Sequence, residues 1–140
     1  MQKSVFISFG IFLILTACSS KKPQIVLSSP EAFAYTLDEG WEVNATVVAR
    51  GFQQNEVDNT YSASLKYTVD IITPDDTIKN ADQGLMEEDN DEEFLDLMLE
   101  TQVELNSGFP EGEYQLIFFV EDTFSKTKDT SYARFNLTSE

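Results

Sequence analysis

Histidine is absent from the 140 residues, and cysteine occurs once, at Cys18. Without histidine the chain cannot form a Ser-His or Cys-His nucleophile pair or a histidine-containing zinc site. A single cysteine excludes a disulfide within the chain, so packing must supply the stability. Carboxylates are plentiful, but no pair is singled out as a glycosidase needs, and no motif joins a serine to a lysine. We therefore expect a protein that is not an enzyme.

Basic side chains are also scarce. The chain has 9 Lys and Arg against 25 Asp and Glu, a formal net charge of −16. Nucleic-acid binding requires positive charge that neutralises phosphates. We therefore expect no nucleic-acid partner.

The sequence has no apolar run long enough to cross a membrane as a helix, but it has a shorter apolar run near the N-terminus. Residues 5–16 are almost wholly apolar, but about 12 residues are too few for a membrane-spanning helix, which needs about 20. Lys3 precedes the run and small residues follow it. A basic start, an apolar core and a small-residue cleavage region are the parts of an export signal.

The signal ends in Leu15-Thr16-Ala17-Cys18, which resembles the lipobox of bacterial lipoproteins. The resemblance implies cleavage before Cys18, diacylglycerol on its thiol and acylation of the new N-terminus, so that the protein is held to a membrane by lipid. Ser19 resembles the residue that directs such proteins to the outer membrane of Gram-negative cells. The competing interpretation is a chance cysteine behind an ordinary signal peptide or an uncleaved anchor.

These boundaries divide the chain into three parts. Residues 1–17 are the predicted signal peptide, residues 18–24 the lipidated cysteine and a short tether, and residues 25–140 one domain. Two segments of that domain, residues 42–50 and 61–72, alternate apolar and polar side chains, as half-buried strands do. We predict a central strand over residues 113–120, short strands over residues 24–27 and 32–37, and a loop over residues 51–60. A last strand follows, with Ala133, Phe135 and Leu137 facing inward. This pattern predicts one antiparallel β-sandwich of about seven strands.

The segment Pro110-Glu111-Gly112-Glu113-Tyr114-Gln115-Leu116 resembles the entry to the penultimate strand of immunoglobulin-like and fibronectin type III-like domains. The resemblance implies a tyrosine corner, in which the Tyr114 hydroxyl bonds to upstream backbone. The alternative is a surface tyrosine beside a common turn. Trp41 is interpreted as an anchor of the N-terminal segment on the core, and otherwise as part of an exposed aromatic patch.

Residues 80–125 contain fourteen acidic side chains and no basic one. Residues 94–105 fit both strand and helix periodicity, and we predict a strand. An acidic loop or short helix is then expected to be inserted near residues 80–94.

The acidic loop, residues 82–96, is the one candidate site with chemistry. Its carboxylates, among them Asp89, Asp91 and Glu93, are hard oxygen ligands suited to weak calcium binding. The spacing does not match a helix-loop-helix calcium motif. A solvated loop that keeps the protein soluble, or a surface for a basic partner, fits the same residues.

Two function classes follow. The first is a membrane-anchored, non-catalytic binding or structural module of the cell envelope, whose partner is an envelope protein of unknown identity. The second is a surface lipoprotein that binds calcium or glycans through the acidic loop or Trp41. We expect no cofactor other than the lipid on Cys18.

Overall fold

The structure is a computed structural model and describes residues 22–139, which form eight β-strands and no helix. The strands are β1 (Val26–Thr36), β2 (Trp41–Arg50), β3 (Asn55–Val57), β4 (Thr60–Ile72), β5 (Thr77–Asn90), β6 (Leu97–Leu105), β7 (Gly112–Asp122) and β8 (Lys128–Leu137).

The strands form two antiparallel sheets. The smaller sheet has the order β1-β2-β6; the larger has the order β3-β4-β7-β8, with β5 also paired to β4. Each sheet buries one face against the other, and the predicted all-β antiparallel sandwich is confirmed. The count is eight rather than about seven because β3 and β5 lie in regions predicted as loops, while the two predicted N-terminal strands are one strand.

The core follows from period-two alternation in the strands. In β2 every second residue from Trp41 to Ala49 is buried, while its neighbours are half-buried. In β4 Leu65, Val69 and Ile71 are fully buried, and these side chains face the core from the second sheet. The core also includes Ile25 before β1, Leu27 and Ala32 of β1, Phe52 after β2, Ala63 of β4, Leu99 and Leu105 of β6, Tyr114, Leu116, Phe118 and Val120 of β7, and Ala133, Phe135 and Leu137 of β8.

A tight hairpin joins β3 to β4. Asp58 and Asn59 have φ angles of 51° and 60°, as a two-residue type I′ turn requires. Asp and Asn adopt this left-handed conformation more readily than other non-glycine residues. The polar composition that favoured a loop was therefore the composition of a turn with a short strand beside it.

The two short N-terminal strands predicted at residues 24–27 and 32–37 are one strand, β1. Its register with β2 shifts between Ser28 and Glu31, and Ser29 has a φ of 50°. This bulge accommodates one extra residue without ending the strand. Pro30 lies within it, where a missing N–H breaks no regular ladder bond.

The predicted acidic loop or short helix near residues 80–94 is wrong. Strand β5 runs to Asn90 and pairs with β4 from Tyr61↔Asn90 to Ile72↔Thr77. None of its side chains is fully buried, so the strand carries little hydrophobic alternation. Backbone pairing with β4 overrides the helix preference of the composition. The strand predicted over residues 94–105 begins later, at Leu97.

A bulge in β5 is fixed by one buried carboxylate. The register between β4 and β5 shifts between Val69 and Ile71, on either side of Asp70, and the Asp70 side chain is 7% exposed. Its oxygens accept hydrogen bonds from the Asn80 amide at 2.9 Å and the Lys79 Nζ at 3.1 Å. Asn80 has a φ of 51°, and Asp70 therefore stabilises a conformation that non-glycine residues seldom adopt.

Asp122, fully buried at the end of β7, organises the neighbouring turns. Its carboxylate accepts hydrogen bonds from the Gln53 amide at 2.7 Å, the Phe124 amide at 3.0 Å and the Ser125 hydroxyl at 2.5 Å. A buried charge is tolerated when hydrogen bonds replace its hydration. Asp122 thus connects the β7–β8 turn to the segment after β2.

We expect Asp122→Ala to lower the free energy of unfolding by about 3 kcal/mol or more, because it leaves several buried donors without an acceptor. Glu121→Ala is the matched control: Glu121 pairs with Lys128 at 3.2 Å, and such exposed pairs contribute at most about 1 kcal/mol. Urea denaturation of both variants measures the difference. Equal losses would contradict the role assigned to Asp122.

Candidate functional site

The sandwich begins a few residues after the predicted anchor. The predicted signal peptide, residues 1–17, and Cys18 lie outside the described residues, as do residues 19–21 of the tether. Ile25 is the first core residue, at 1% exposed. Its amide donates to the Thr127 hydroxyl at 3.0 Å, and the Leu27 amide donates to the Asp129 carboxylate at 2.8 Å. The chain is therefore fixed to the β7–β8 region as soon as it enters the domain.

A glycine permits this entry. Gly51 follows β2 with a φ of 72°, and a Cβ there would lie 2.2 Å from the Gln24 carbonyl oxygen. Such a contact is sterically impossible, so a side chain at position 51 would displace the base of the tether. The entry point shares one end of the sandwich with Arg50, Asn90, Leu97 and Lys128, the strand ends that pairing brings to that side.

The acidic segment is a strand followed by a short connection. Glu87, Glu88 and Asp89 lie in the exposed C-terminal part of β5. The connection after it is held by a side-chain amide: Gln54 accepts a hydrogen bond from the Phe94 amide at 2.7 Å and donates to the Phe94 carbonyl at 2.8 Å. This two-bond contact imitates a pair of strand residues. The acidic segment is thus a structured part of the sandwich.

The structure does not bring Asp89, Asp91 and Glu93 together as calcium ligands. Asp89 pairs with Ser62 within the larger sheet, whereas Asp91 and Glu93 lie beyond the strand. Within residues 22–139, no group of three or more acidic side chains is arranged to hold a metal ion.

Trp41 is a core residue, 7% exposed, and its indole N–H donates to the Thr138 carbonyl at 3.1 Å. It anchors the start of β2 to the chain after β8. The alternative, in which Trp41 belongs to an exposed aromatic patch, is wrong. The exposed aromatic side chains near it are Phe33 and Tyr35 of β1, at 58% and 56% exposed.

Tyr114 is buried in β7, and its hydroxyl donates to the Pro110 carbonyl at 2.6 Å. This is the hydrogen bond of a tyrosine corner. The ring also packs on Phe135 with centroids 5.5 Å apart. Burial, with the negative charge of Asp75 as a second cause, raises the pKa of the Tyr114 phenol above its ordinary value.

The outer face of the smaller sheet is acidic, which the sequence patterns alone did not indicate. It carries Glu31 of β1, Glu42 of β2, and Glu100 and Glu104 of β6, and Glu42 lies directly opposite Glu104. Directly opposed like charges destabilise a sheet. The alternation in β2 and β6 places each acid on this side, but only the register shows that they meet.

The outer face of β7 and β8 in the larger sheet differs, because its charges are paired. Lys128 contacts Glu121 at 3.2 Å, and Arg134 lies 3.9 Å from Glu113. Among the described residues, no lysine or arginine pairs with the four acids of the smaller sheet or with Glu87, Glu88 and Asp89 of β5.

A groove separates the edges of β5 and β6. Its volume is about 350 Å³, and it is lined by Tyr67, Leu85, Met86, Glu87, Glu88, Met98, Leu99 and Glu100. At one end the Thr101 hydroxyl donates to the Asp82 carboxylate. Burial, followed by the charge of Asp82, raises the pKa of Tyr67. Leu85 and Met98 are 56% and 52% exposed, so the groove presents apolar side chains beside the carboxylates of Glu87, Glu88 and Glu100.

Glycine 84 shapes this groove. Gly84 pairs with Tyr67 across the two strands, and a Cβ at this position would lie 2.8 Å from Tyr67 ring carbons. The Tyr67 ring therefore packs over the backbone of β5, and a larger residue at position 84 would push it into the groove.

No protein-family model matches this chain, and no curated protein matches its sequence. Within the described part of the chain, no helix is long and apolar enough to cross a membrane.

We expect Tyr114→Phe to lower the free energy of unfolding by about 1 kcal/mol, the net value of one hydrogen bond. Tyr114→Ala should cost about 3–5 kcal/mol, because it also leaves a cavity. Chemical denaturation at neutral pH checks both values. A Tyr114→Phe variant as stable as the original chain would show that the bond to Pro110 contributes nothing.

The original chain and the Tyr114→Phe variant should also differ in how their free energy of unfolding depends on pH. Because the pKa of Tyr114 is raised in the folded state, its contribution is complete below the unfolded value of about 10 and is lost as the pH rises through the folded value. Tyr114→Phe should therefore lose less stability between neutral and strongly alkaline pH. Tyr67, whose pKa is also raised, leaves part of the alkaline loss in place.

Proposed function

We propose that this chain is a lipid-anchored bacterial envelope protein whose β-sandwich acts as a non-catalytic binding or structural module. The observation that carries the proposal is the sequence Leu15-Thr16-Ala17-Cys18 at the end of a short apolar leader. Cys18 is the site of lipidation, and two or three acyl chains hold a protein durably on a bilayer, whereas a single chain does not. With Ser19 next to it, the protein belongs in the outer membrane if the host is Gram-negative.

The short tether supports a position close to the membrane. Six residues separate Cys18 from Ile25, and a fully extended chain of that length spans at most about 20 Å. Hydrogen bonds of the Ile25 and Leu27 amides fix the chain to the domain from that point on, so the tether gains no further length. The end of the sandwich that carries Arg50, Asn90 and Lys128 then faces the bilayer.

A binding role is supported by where the unpaired charge lies. The acidic face of the smaller sheet places Glu42 opposite Glu104, an arrangement that folding alone disfavours. Negative surfaces of this kind suit a partner with basic side chains, and they repel anionic headgroups. The tyrosine corner at Tyr114 supports the immunoglobulin-like or fibronectin type III-like resemblance, although that architecture serves many functions.

Neither part of the alternative function has a supporting contact. The candidate calcium ligands Asp89, Asp91 and Glu93 are not gathered around one point, and Trp41 is buried. We therefore propose a protein partner in the envelope in place of calcium or a glycan.

The anchor is tested by Cys18→Ala. Metabolic labelling with an acyl-chain analogue should label the original chain and not the variant, which should retain its 17-residue leader because cleavage depends on acylation. Cys18→Ser, which keeps the size of the side chain but not the thiol, should behave in the same way. A variant that is fully processed and still membrane-bound would overturn the anchor.

The module is tested by crosslinking in cells, followed by mass spectrometry of the membrane fraction. We expect crosslinks from the acidic face to lysines of one envelope protein, and their loss when Glu42 and Glu104 are both replaced by Gln. The paired face supplies the control, Glu113→Gln. Crosslinks that survive the double substitution would place the partner elsewhere, and recovery of lipid alone would contradict a protein partner.

A further inference from the structure

One edge of β5 is free, because its backbone N–H and C=O groups have no partner strand among the described residues. Strand β5 pairs with β4 and with no other described strand. The Gln83 amide donates to the Asp82 carboxylate at 2.8 Å, so it points away from β4. Since the direction of N–H and C=O alternates along a strand, Leu85, Glu87 and Asp89 also direct their backbone groups outward.

The pairing of β4 on its other side agrees with this direction. The Ser64 carbonyl accepts from the Thr123 amide at 3.0 Å, on the β7 side. The backbone N–H and C=O groups of even-numbered residues in β4 therefore point to β7, and those of odd-numbered residues point to β5. Tyr67 is odd-numbered and lies opposite Gly84, so the backbone groups of these two residues bond to each other. The even-numbered residues of β5 are therefore the ones whose backbone groups bond to β4.

Only part of this edge is protected. Natural proteins protect a long edge with bulges, charges or covering elements. The bulge at Lys79 and Asn80 and the bond to Gln83 protect the first half of β5. The remainder, residues 85–90, has only charge as protection, and that charge is all negative.

Charge of one sign selects among partners. A second copy of β5 would bring Glu87, Glu88 and Asp89 against the same residues, and like charges directly opposite are destabilising. A strand with lysine or arginine at the matching positions gains from the same residues. The side chains that prevent self-association therefore favour a basic partner.

The groove beside the edge accepts apolar side chains. An added strand presents alternate side chains to the two faces of the sheet. Those on the outer face meet Leu85, Glu87 and Asp89, and those on the inner face enter the groove beside Met86 and Glu88, opposite Met98 and Glu100 of β6.

We propose that the edge of β5 over residues 85–90 binds an extended segment of another protein by strand addition, and that this segment alternates basic and apolar residues. Each basic residue directs its side chain to Glu87 or Asp89 and its N–H to the β5 backbone. Each apolar residue enters the β5–β6 groove, and its N–H points away. The proposal goes beyond the proposed function: it adds a contact on the β5 edge, separate from the acidic face of the smaller sheet, and it rests on the proposed function only for the existence of a protein partner.

In this geometry the N–H groups of the basic residues bond to β5, whereas those of the apolar residues do not. N-methylation, which removes an N–H donor, tests that difference. The probe is an eight-residue peptide that alternates Lys and Val, with blocked ends and a fluorescent label, added to the full chain in neutral detergent. One version is N-methylated at every Lys and another at every Val. The three peptides have the same charge, and fluorescence anisotropy gives the Kd of each.

Methylation at Lys removes the donors that face β5 and should weaken binding by roughly tenfold or more, whereas methylation at Val should change it by less than about threefold. Equal affinity of the two methylated peptides would show attraction by charge alone and overturn strand addition. Absence of binding by the unmodified peptide would overturn it as well.

Two matched variants locate the site. Replacing both Glu87 and Asp89 by their amides should weaken the unmodified peptide by roughly tenfold, because two charge-assisted contacts are lost. Replacing Glu42 and Glu104 by Gln removes the same charge from the smaller sheet and should have less than about a twofold effect. Equal weakening by both variants would place the peptide elsewhere.

Sedimentation velocity without peptide tests the other occupant. A monomer is expected. A dimer that dissociates on addition of peptide would show that the β5 edge also accepts a second copy, which contradicts the selection of a basic partner by Glu87, Glu88 and Asp89. Peptide binding does not depend on the lipid, so a failed anchor would leave these results unchanged. Failure of peptide binding would in turn leave the Cys18 labelling unchanged.

Discussion

Strand β4 is hydrogen-bonded along both of its edges, and the larger sheet depends on that pairing. Strands β3 and β7 lie on one side and β5 on the other. The core fixes the position of β4, because Leu65, Val69 and Ile71 are fully buried. β5 has no fully buried side chain of its own, so its order is a consequence of backbone bonds to a strand that packing already holds. A sheet can in this way extend beyond the limits of its core.

The negative charge of the chain is compatible with the fold because the buried acids have different surroundings from the exposed ones. Asp70 and Asp122 are buried and accept hydrogen bonds from backbone and side-chain donors, which replaces the lost hydration. The exposed acids lie on the outer faces and on β5, in contact with water. Sequence composition counts both kinds equally, although the first kind stabilises turns and bulges and the second leaves the surface charged.

Alternation in the sequence predicts the strands that have a buried face. Residues 42–50 and 61–72 have that pattern, and β2 and β4 lie there. The same criterion fails for β5, since an edge strand needs no apolar face when a neighbour supplies its hydrogen bonds. It also fails for β1, where a left-handed residue at Ser29 carries the chain through a bulge between two apolar stretches.

The candidate surfaces were less predictable than the fold. The acidic segment is evident in the sequence, but whether its carboxylates converge depends on register, which a one-residue slip reverses. The opposition of Glu42 and Glu104 depends on pairing between two residues that lie more than 60 positions apart in the sequence. The β5–β6 groove arises between edges of different sheets, and no local pattern contains it. The segment Leu15-Thr16-Ala17-Cys18, which resembles a lipobox, is by contrast contiguous, so the resemblance is visible in the sequence without the fold.

The register of β2 with β6 also bears on how the domain forms. The β3–β4 and β7–β8 hairpins join strands that are adjacent in the chain, whereas Trp41↔Leu105 closes a long loop. Loop closure lowers entropy before any contact compensates for it, so distant pairings form slowly. The smaller sheet is therefore expected to complete late, with β6 docking on β2 after the hairpins exist. Until then the edge of β2 that receives β6 keeps its backbone N–H and C=O groups unpaired, and the chain is most prone to pair with a foreign strand during that interval.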